Sequence, residues 1–328
     1  MKTKAFLTLL APVLIASLLA GCSTLTRYGA PSGRMIDPIV STDWLSANSQ
    51  LENLVIIDIR GPADYGAGHI PGSINEPFVT AFDPCTGPTS NWIVGTKDCL
   101  WLEVPGAGDL MSTIGKLGIT KDSRVVIVTA PNPKEPPFYG LANATRVADT
   151  LIYAGVKNVA ILDGGYPKWV SEKRATTKEV PAVTSVTYQS EVNKVMFVPA
   201  NYVKSRSKEA IIIDARDANI YSGLGIEPFT DKAGHIPNAK SLPAPQIWNQ
   251  NPDGTYTYKD PKTLGKMASG VIGKSADPRS QEIIIYCGVG GYASSWWFVL
   301  TQVLGYQNAK IYDGSVQEWG KNYDLVIQ

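Results

Sequence analysis

The feature that most constrains the fold is that the chain repeats itself. Val55-Ile56-Ile57-Asp58-Ile59-Arg60 returns as Ile211-Ile212-Ile213-Asp214-Ala215-Arg216. Gly68-His69-Ile70-Pro71-Gly72-Ser73 returns as Gly234-His235-Ile236-Pro237-Asn238-Ala239. Ala160-Ile161-Leu162-Asp163-Gly164-Gly165, with Trp169, returns as Lys310-Ile311-Tyr312-Asp313-Gly314-Ser315, with Trp319. Three matched blocks in one order imply duplication, and 328 residues suffice for two domains. In each copy, β-branched apolar runs alternate with helical stretches through Gly/Pro turns. The alternation predicts an α/β fold, each domain a parallel sheet flanked by helices on both faces. The expected division is a targeting segment over 1–21, a tether over 22–35, domains over 36–175 and 196–328, and a linker over 176–195 with a β segment in it. Pro245 to Pro261, rich in Asn, Pro and Tyr, reads as a long loop on the rim of a site.

The copies differ where chemistry would sit. In the second, Ile283-Ile284-Ile285-Tyr286 reads as a buried strand, followed by Cys287-Gly288-Val289-Gly290-Gly291-Tyr292-Ala293 and a helix to about Leu304. A thiol at this junction faces the unpaired N–H groups and partial positive charge of a helix start. Glycines let backbone N–H groups converge on the sulfur without Cβ clashes. Both features predict a lowered thiol pKa and a nucleophile. The alternative is a buried, inert cysteine. In the first copy the matching strand, Arg124 to Thr129, leads into Ala130-Pro131-Asn132-Pro133-Lys134-Glu135-Pro136-Pro137, which has no cysteine. Prolines lack N–H groups, so that loop cannot cradle an anion and the first copy is expected to be silent. Asp163 and Asp313, before glycines, read as turn formers. Trp296, Trp297 and Phe298 read as core.

Hydrophobic content of 44% supports a sizeable core, and a net charge of +1 gives no sign of a nucleic-acid partner. His69 and His235 are too few and too dispersed for a metal site, and no metal or cofactor is expected. Lys2 and Lys4 precede an apolar run from Ala5 to Leu18, as in a secretory signal. Leu19-Ala20-Gly21-Cys22 resembles a bacterial lipobox, which implies cleavage before Cys22, lipidation of its thiol and membrane attachment through the lipid. Ser23 after it fits a periplasm-facing lipoprotein of a Gram-negative outer membrane. In that oxidising compartment a Cys85–Cys99 disulfide is expected, two unpaired thiols being the alternative, and Cys287 is left as the odd cysteine.

From about residue 50 to 328 the blocks resemble the tandem rhodanese family, the thiosulfate and 3-mercaptopyruvate sulfurtransferases. The Asp-x-Arg, Gly-His-Ile-Pro, Cys-Gly-x-Gly and Asp-Gly-x-x-x-Trp blocks fall in family order. The resemblance implies two rhodanese-like domains, the second catalytic. It implies that Cys287 takes sulfane sulfur from a small donor, becomes a persulfide cradled by the amides of Gly288 to Ala293, and passes the sulfur to a thiol or cyanide acceptor. Thiosulfate-type loops carry a basic pair where this chain has Gly288-Val289; mercaptopyruvate-type loops carry Ser and Thr at Val289 and Tyr292. The two arginines that grip a substrate carboxylate in that family fall at Ile220 and Phe229. With Asp214 and Arg216, these are the candidate substrate-pocket residues. An apolar pocket favours a less charged or larger donor, a polysulfide, a protein persulfide or a selenium compound. His69 and His235, present in both copies, read as structural.

Three other readings compete. Gly288-x-Gly290-x-x-Ala293 has the outline of a dinucleotide-binding turn, but too little chain follows Asp313 to complete such a fold. A Cys-x5-Arg phosphatase would need Arg where Ala293 stands. A sulfur or selenium carrier without turnover, or a lipid-anchored binding module, would use the same thiol.

Overall fold

A computed structural model of the protein describes residues 31, 33–78, 85, 90–131 and 136–327. The targeting segment, Cys22 and most of the tether lie outside the described residues. The first domain contributes strands β1 (Ile39–Val40), β2 (Leu54–Asp58), β3 (Ser73–Asn75), β4 (Arg124–Val128) and β5 (Asn158–Leu162). Its helices are α1 (Thr42–Ala47), α2 (Pro62–Ala67), α3 (Ala107–Lys116), α4 (Pro137–Tyr153) and α5 (Gly165–Ser171). The second contributes strands β6 (Phe197–Val198), β7 (Ile211–Asp214), β8 (Lys240–Ser241), β9 (Trp248–Gln250), β10 (Tyr256–Tyr258), β11 (Ile283–Tyr286) and β12 (Ala309–Tyr312). Its helices are α6 (Ala200–Arg206), α7 (Ala218–Tyr221), α8 (Pro261–Ile272), α9 (Gly291–Phe298) and α10 (Ser315–Asn322).

The duplication survives in the topology. The first sheet runs β1-β5-β4-β2-β3 and the second β6-β12-β11-β7-β8, so equivalent strands hold equivalent places. All pairings in both five-stranded sheets are parallel. The central strands are apolar along their length because helices cover both faces; Ile283, Ile284, Ile285 and Tyr286 are fully buried. The β-branched run suits this place, since stiff branched side chains pack well on a pleated surface. Beyond Phe298, α9 widens into a π turn over Val299–Val303. The Cys85–Cys99 disulfide is present.

Two expectations about connections need correction. Residues 176–195 do run extended, but the β segment amounts to one bridge, between Thr177 and His69. The linker is pinned instead by close approach: Val186 N–H donates to Gly115 O at 2.9 Å, and a Cβ at Gly115 would meet Val186 O at 2.4 Å. Pro245 to Pro261 is not an open loop. It forms the antiparallel β9–β10 hairpin, with Trp248 opposite Tyr258 and Gln250 opposite Tyr256. Alternating aromatic positions give the hairpin one face that it buries against the first domain, where Trp248 stacks on Phe138.

Candidate active site

Strand β11 ends at Tyr286 and α9 begins at Gly291, so Cys287 opens a four-residue turn between sheet and helix. Gly290 takes φ 93°, a left-handed conformation open to glycine at little cost. That turn brings the Gly290 N–H to 3.1 Å from Cys287 Sγ. The amides of Val289 and Ala293 also hydrogen-bond to the sulfur. The loop is held from behind by the start of α10: Cys287 N–H donates to Ser315 Oγ at 3.2 Å. Val316 and Gln317 N–H donate to the carbonyls of Cys287 and Gly288, each at 3.2 Å. Gly288 is required by space, since a Cβ there would lie 2.6 Å from both Glu227 Oε2 and Phe229 Cδ2.

The thiol is not acidified, contrary to expectation. Burial pushes the Cys287 pKa above its ordinary value, the Glu227 carboxylate pushes it further, and the three amides oppose. The sulfur's residue is 3% exposed, and the nearest charge is an anion rather than the Lys, Arg or His that lowers a cysteine pKa.

Cys287 lines a cleft of about 280 Å³ between the domains. The second domain supplies Glu227, Pro228, Phe229, Gly288, Val289, Gly291 and Tyr292, and the first supplies Trp101, Leu102, Tyr139, Ala142 and Asn143. Glu227 is buried, and its Oε2 has no hydrogen-bond partner. Burial raises its pKa to about 7, against Arg216 and with help from Asp214 and Asp217.

Of the residues anticipated from sequence, Cys287, Gly288, Val289, Gly291, Tyr292 and Phe229 share the cleft. Gly290 and Ala293 sit behind the sulfur as amide donors. Asp214, Arg216 and Ile220 do not line it. Arg216 is held by Asp214, Nε to Oδ1 at 3.0 Å and Nη2 to Oδ2 at 2.6 Å, and donates to Gly234 O at 2.7 Å. Tyr286 Oη donates to Asp214 Oδ2 at 2.8 Å. The first copy builds the same pair, Arg60 Nη2 to Asp58 Oδ2 at 2.6 Å with Gly68 O at 2.9 Å. A motif built alike in both copies ties strand to turn, and that is why it recurs. Ile220 supports a turn, its Cδ1 2.9 Å from where a Cβ of Gly225 would stand. The two histidines stack on Tyr65 and Tyr221, and each Nδ1 meets the carbonyl of its tyrosine, at 3.0 and 2.9 Å.

The sequence reading assigns the first domain a role in packing or pocket shape, but it points neither to Glu227 nor to the first-domain residues that line the cleft. It also undervalued the turn aspartates. Asp313 Oδ1 pairs with Arg146 Nη1 at 2.6 Å across the domain boundary, while its Oδ2 accepts from Val104 N–H at 2.7 Å. The first copy mirrors this: Asp163 Oδ1 accepts from Tyr258 N–H at 2.8 Å. Each domain thus sends an arm to the other's strand ends. The arm around Trp101 leaves room beside Cys287. The β9–β10 arm does not: Trp248, Tyr256 and Tyr258 leave a cavity of about 10 Å³ near Thr129, the residue in Cys287's place, whose Oγ1 donates to Gly140 O at 2.8 Å.

The rhodanese-like domain description matches residues 41–172 and again residues 199–322. A Synechococcus elongatus protein provisionally named a thiosulfate sulfurtransferase is 28% identical, over 97% of this chain and 93% of its own. The sulfur carrier protein TtuD of Thermus thermophilus is 29% identical, over 86% of this chain and 93% of its own. Among solved structures, SseA from Escherichia coli, described as a 3-mercaptopyruvate sulfotransferase with the rhodanese fold, aligns with a TM-score of 0.65 at 24% identity, over 85% of this chain and 99% of that one. The anaerobic ergothioneine biosynthesis enzyme of Chlorobium limicola, solved with trimethyl histidine, aligns with a TM-score of 0.69 at 20% identity, over 89% of this chain and 71% of that one. The two structural likenesses establish a shared fold.

Proposed function

Because this chain belongs to the rhodanese-like domain family, once in each half, we propose that it moves sulfane sulfur from a donor to a thiophilic acceptor through a persulfide on Cys287. The observation that carries the reading is the Cys287 sulfur at a cleft wall with the Gly290 N–H 3.1 Å away and two further amides upon it. Such donors are preorganised for an anionic sulfur and need not rearrange as charge arrives.

The chemistry runs in two displacements. The Cys287 thiolate attacks the outer sulfur of the donor. The donor's bond to that sulfur breaks, and the leaving group departs with the electron pair. Cys287 then bears a terminal sulfur anion facing the same amides. A thiolate or cyanide attacks that terminal atom, the new sulfur–sulfur bond breaks, and the Cys287 thiolate is regenerated. No metal or redox partner enters the balance. The domain without the cysteine shapes the cleft and carries no chemistry of its own.

The donor is a sulfur or selenium compound less charged or larger than thiosulfate, such as a longer polysulfide or a protein persulfide. Gly288, Val289 and Phe229 in the cleft, with Arg216 already committed to Asp214, support this. The protein is further proposed to be a lipoprotein anchored through Cys22, facing the periplasm from the outer membrane of a Gram-negative bacterium. The Lys2 to Cys22 segment supports it, and the Cys85–Cys99 disulfide suits an oxidising compartment.

A carrier without turnover is the second reading, favoured by the likeness to a named sulfur carrier. Steady-state assays with cyanide and with a dithiol acceptor separate the two. Many turnovers per Cys287 establish the enzyme; a single stoichiometric discharge establishes the carrier; neither turnover nor discharge removes both.

A further inference from the structure

The cleft is ill suited to anions and well suited to a cation. Among the described residues, no lysine or arginine lines it. The guanidinium of Arg216 is taken by Asp214 and Gly234 O, and that of Arg146 by Asp313 and Leu102 O. Four aromatic side chains form much of its wall: Trp101 stacks with Phe229 at a centroid separation of 5.9 Å, and Tyr139 meets Tyr292 at 5.1 Å. Among them stands Glu227, 7% exposed, with an Oε2 that has no hydrogen-bond partner among the described residues. A buried carboxyl without a partner costs free energy. Aromatic faces attract ammonium groups, quaternary ones above all, and more strongly once water is excluded. An organic cation seated here would answer both features, whereas an anionic substrate would be brought against a second negative charge.

We propose that the cleft recognises a small substrate bearing an alkylated ammonium group, with Trp101, Tyr139, Phe229 and Tyr292 around the cation and Glu227 as its counter-charge. The inference rests on the cleft being the substrate site of the sulfur transfer. It concerns recognition alone, and no bond is made or broken. It also gives Glu227 a second consequence. The carboxylate opposes ionisation of Cys287, and a cation beside Glu227 cancels that opposition. Substrate binding and thiolate formation therefore favour each other.

The test is calorimetric titration of the full chain with choline and with 3,3-dimethylbutanol, its uncharged carbon isostere. Choline is expected to bind roughly tenfold more tightly than the isostere. The preference is expected to vanish in Glu227→Gln, and Trp101→Ala is expected to weaken choline binding more than isostere binding. Equal binding of the two compounds, or a preference that survives Glu227→Gln, overturns the inference. Phosphatidylcholine vesicles that displace choline would assign the cation site to a lipid headgroup and overturn the small-substrate form. Sulfur loading of the same preparations, followed by intact mass, keeps the two claims apart. Loading without cation preference sinks only this inference; cation preference without loading sinks only the sulfur-transfer reading.

Discussion

Two opposed influences meet at the Cys287 sulfur. Burial and Glu227 favour the thiol, and the amides of Val289, Gly290 and Ala293 favour the thiolate. The first pair prevails, so the resting protein holds its sulfur protonated at neutral pH. Alkylation of Cys287 by iodoacetamide should therefore keep accelerating well into the alkaline range. Glu227 itself ionises near pH 7, so its opposition acts above that pH. Glu227→Gln removes a negative charge and should shift the alkylation profile to lower pH; an unshifted profile would show that Glu227 does not act on the sulfur. Gly288 is the most demanding position in the loop. Gly288→Ala drives a methyl into Glu227 and Phe229 and should abolish sulfur loading, with the unfolding free energy lowered by about 1–3 kcal/mol through overpacking. Loading at the wild-type rate would show that the turn yields.

The elements that most distinguish the two copies are the two arms that cross between domains. Both anchor on an aspartate at the end of the last strand, through Val104 N–H on Asp313 and Tyr258 N–H on Asp163. They differ in what they bring: a cleft wall in one case, a plug in the other. Trp248→Ala should cost about 3–5 kcal/mol, as large aromatic truncations in a core do, yet leave sulfur loading of the folded protein intact. Trp101→Ala should impair loading as well. Thermal melts paired with intact-mass loading check both, and equal loading in the two variants would remove the arms from the account. The central strands and their parallel pairing were legible, because β-branched runs and a repeated block carry a strong local signal. The arms were not. Whether Trp248 to Tyr258 pairs into a hairpin depends on a face of the other domain that no local pattern encodes. The Cys287 turn was legible for its glycines, but the direction of its pKa was not. That direction is set by burial, which the packing of both domains creates, and by Glu227, 60 residues away in the chain. The Asp-x-Arg block reads from sequence as an internal ion pair or turn cap or as a substrate contact, and the structure closes its charges on each other in both copies.

For the molecule as a whole, the Arg146–Asp313 pair is a buried ionic tie between domains, with Arg146 Nη2 also donating to Leu102 O at 2.7 Å. Removing one partner leaves a buried charge alone. Arg146→Met should cost about 3–5 kcal/mol, and adding Asp313→Asn should cost less than the sum of the single changes. Denaturant melts of the four forms give the coupling, and strict additivity would show that the pair does not hold the interface. Stability should also fall with pH over a defined window. Glu227 has a folded pKa near 7, raised from 4.5, and Asp163 one near 6, raised from 3.8. A raised carboxyl pKa disfavours folding once the group ionises. The contribution of these two groups is therefore intact below about pH 4 and lost progressively up to about pH 7. Glu227→Gln should melt higher than wild type at pH 8 and close to it at pH 4.5. The measurement that bears most directly on the account is the intact mass of wild type and of Cys287→Ser after exposure to a polysulfide. The account predicts one added sulfur atom on the wild type, removed by a thiol acceptor, and none on the variant. A wild-type mass unchanged with every donor, or the same gain on the serine variant, would contradict it.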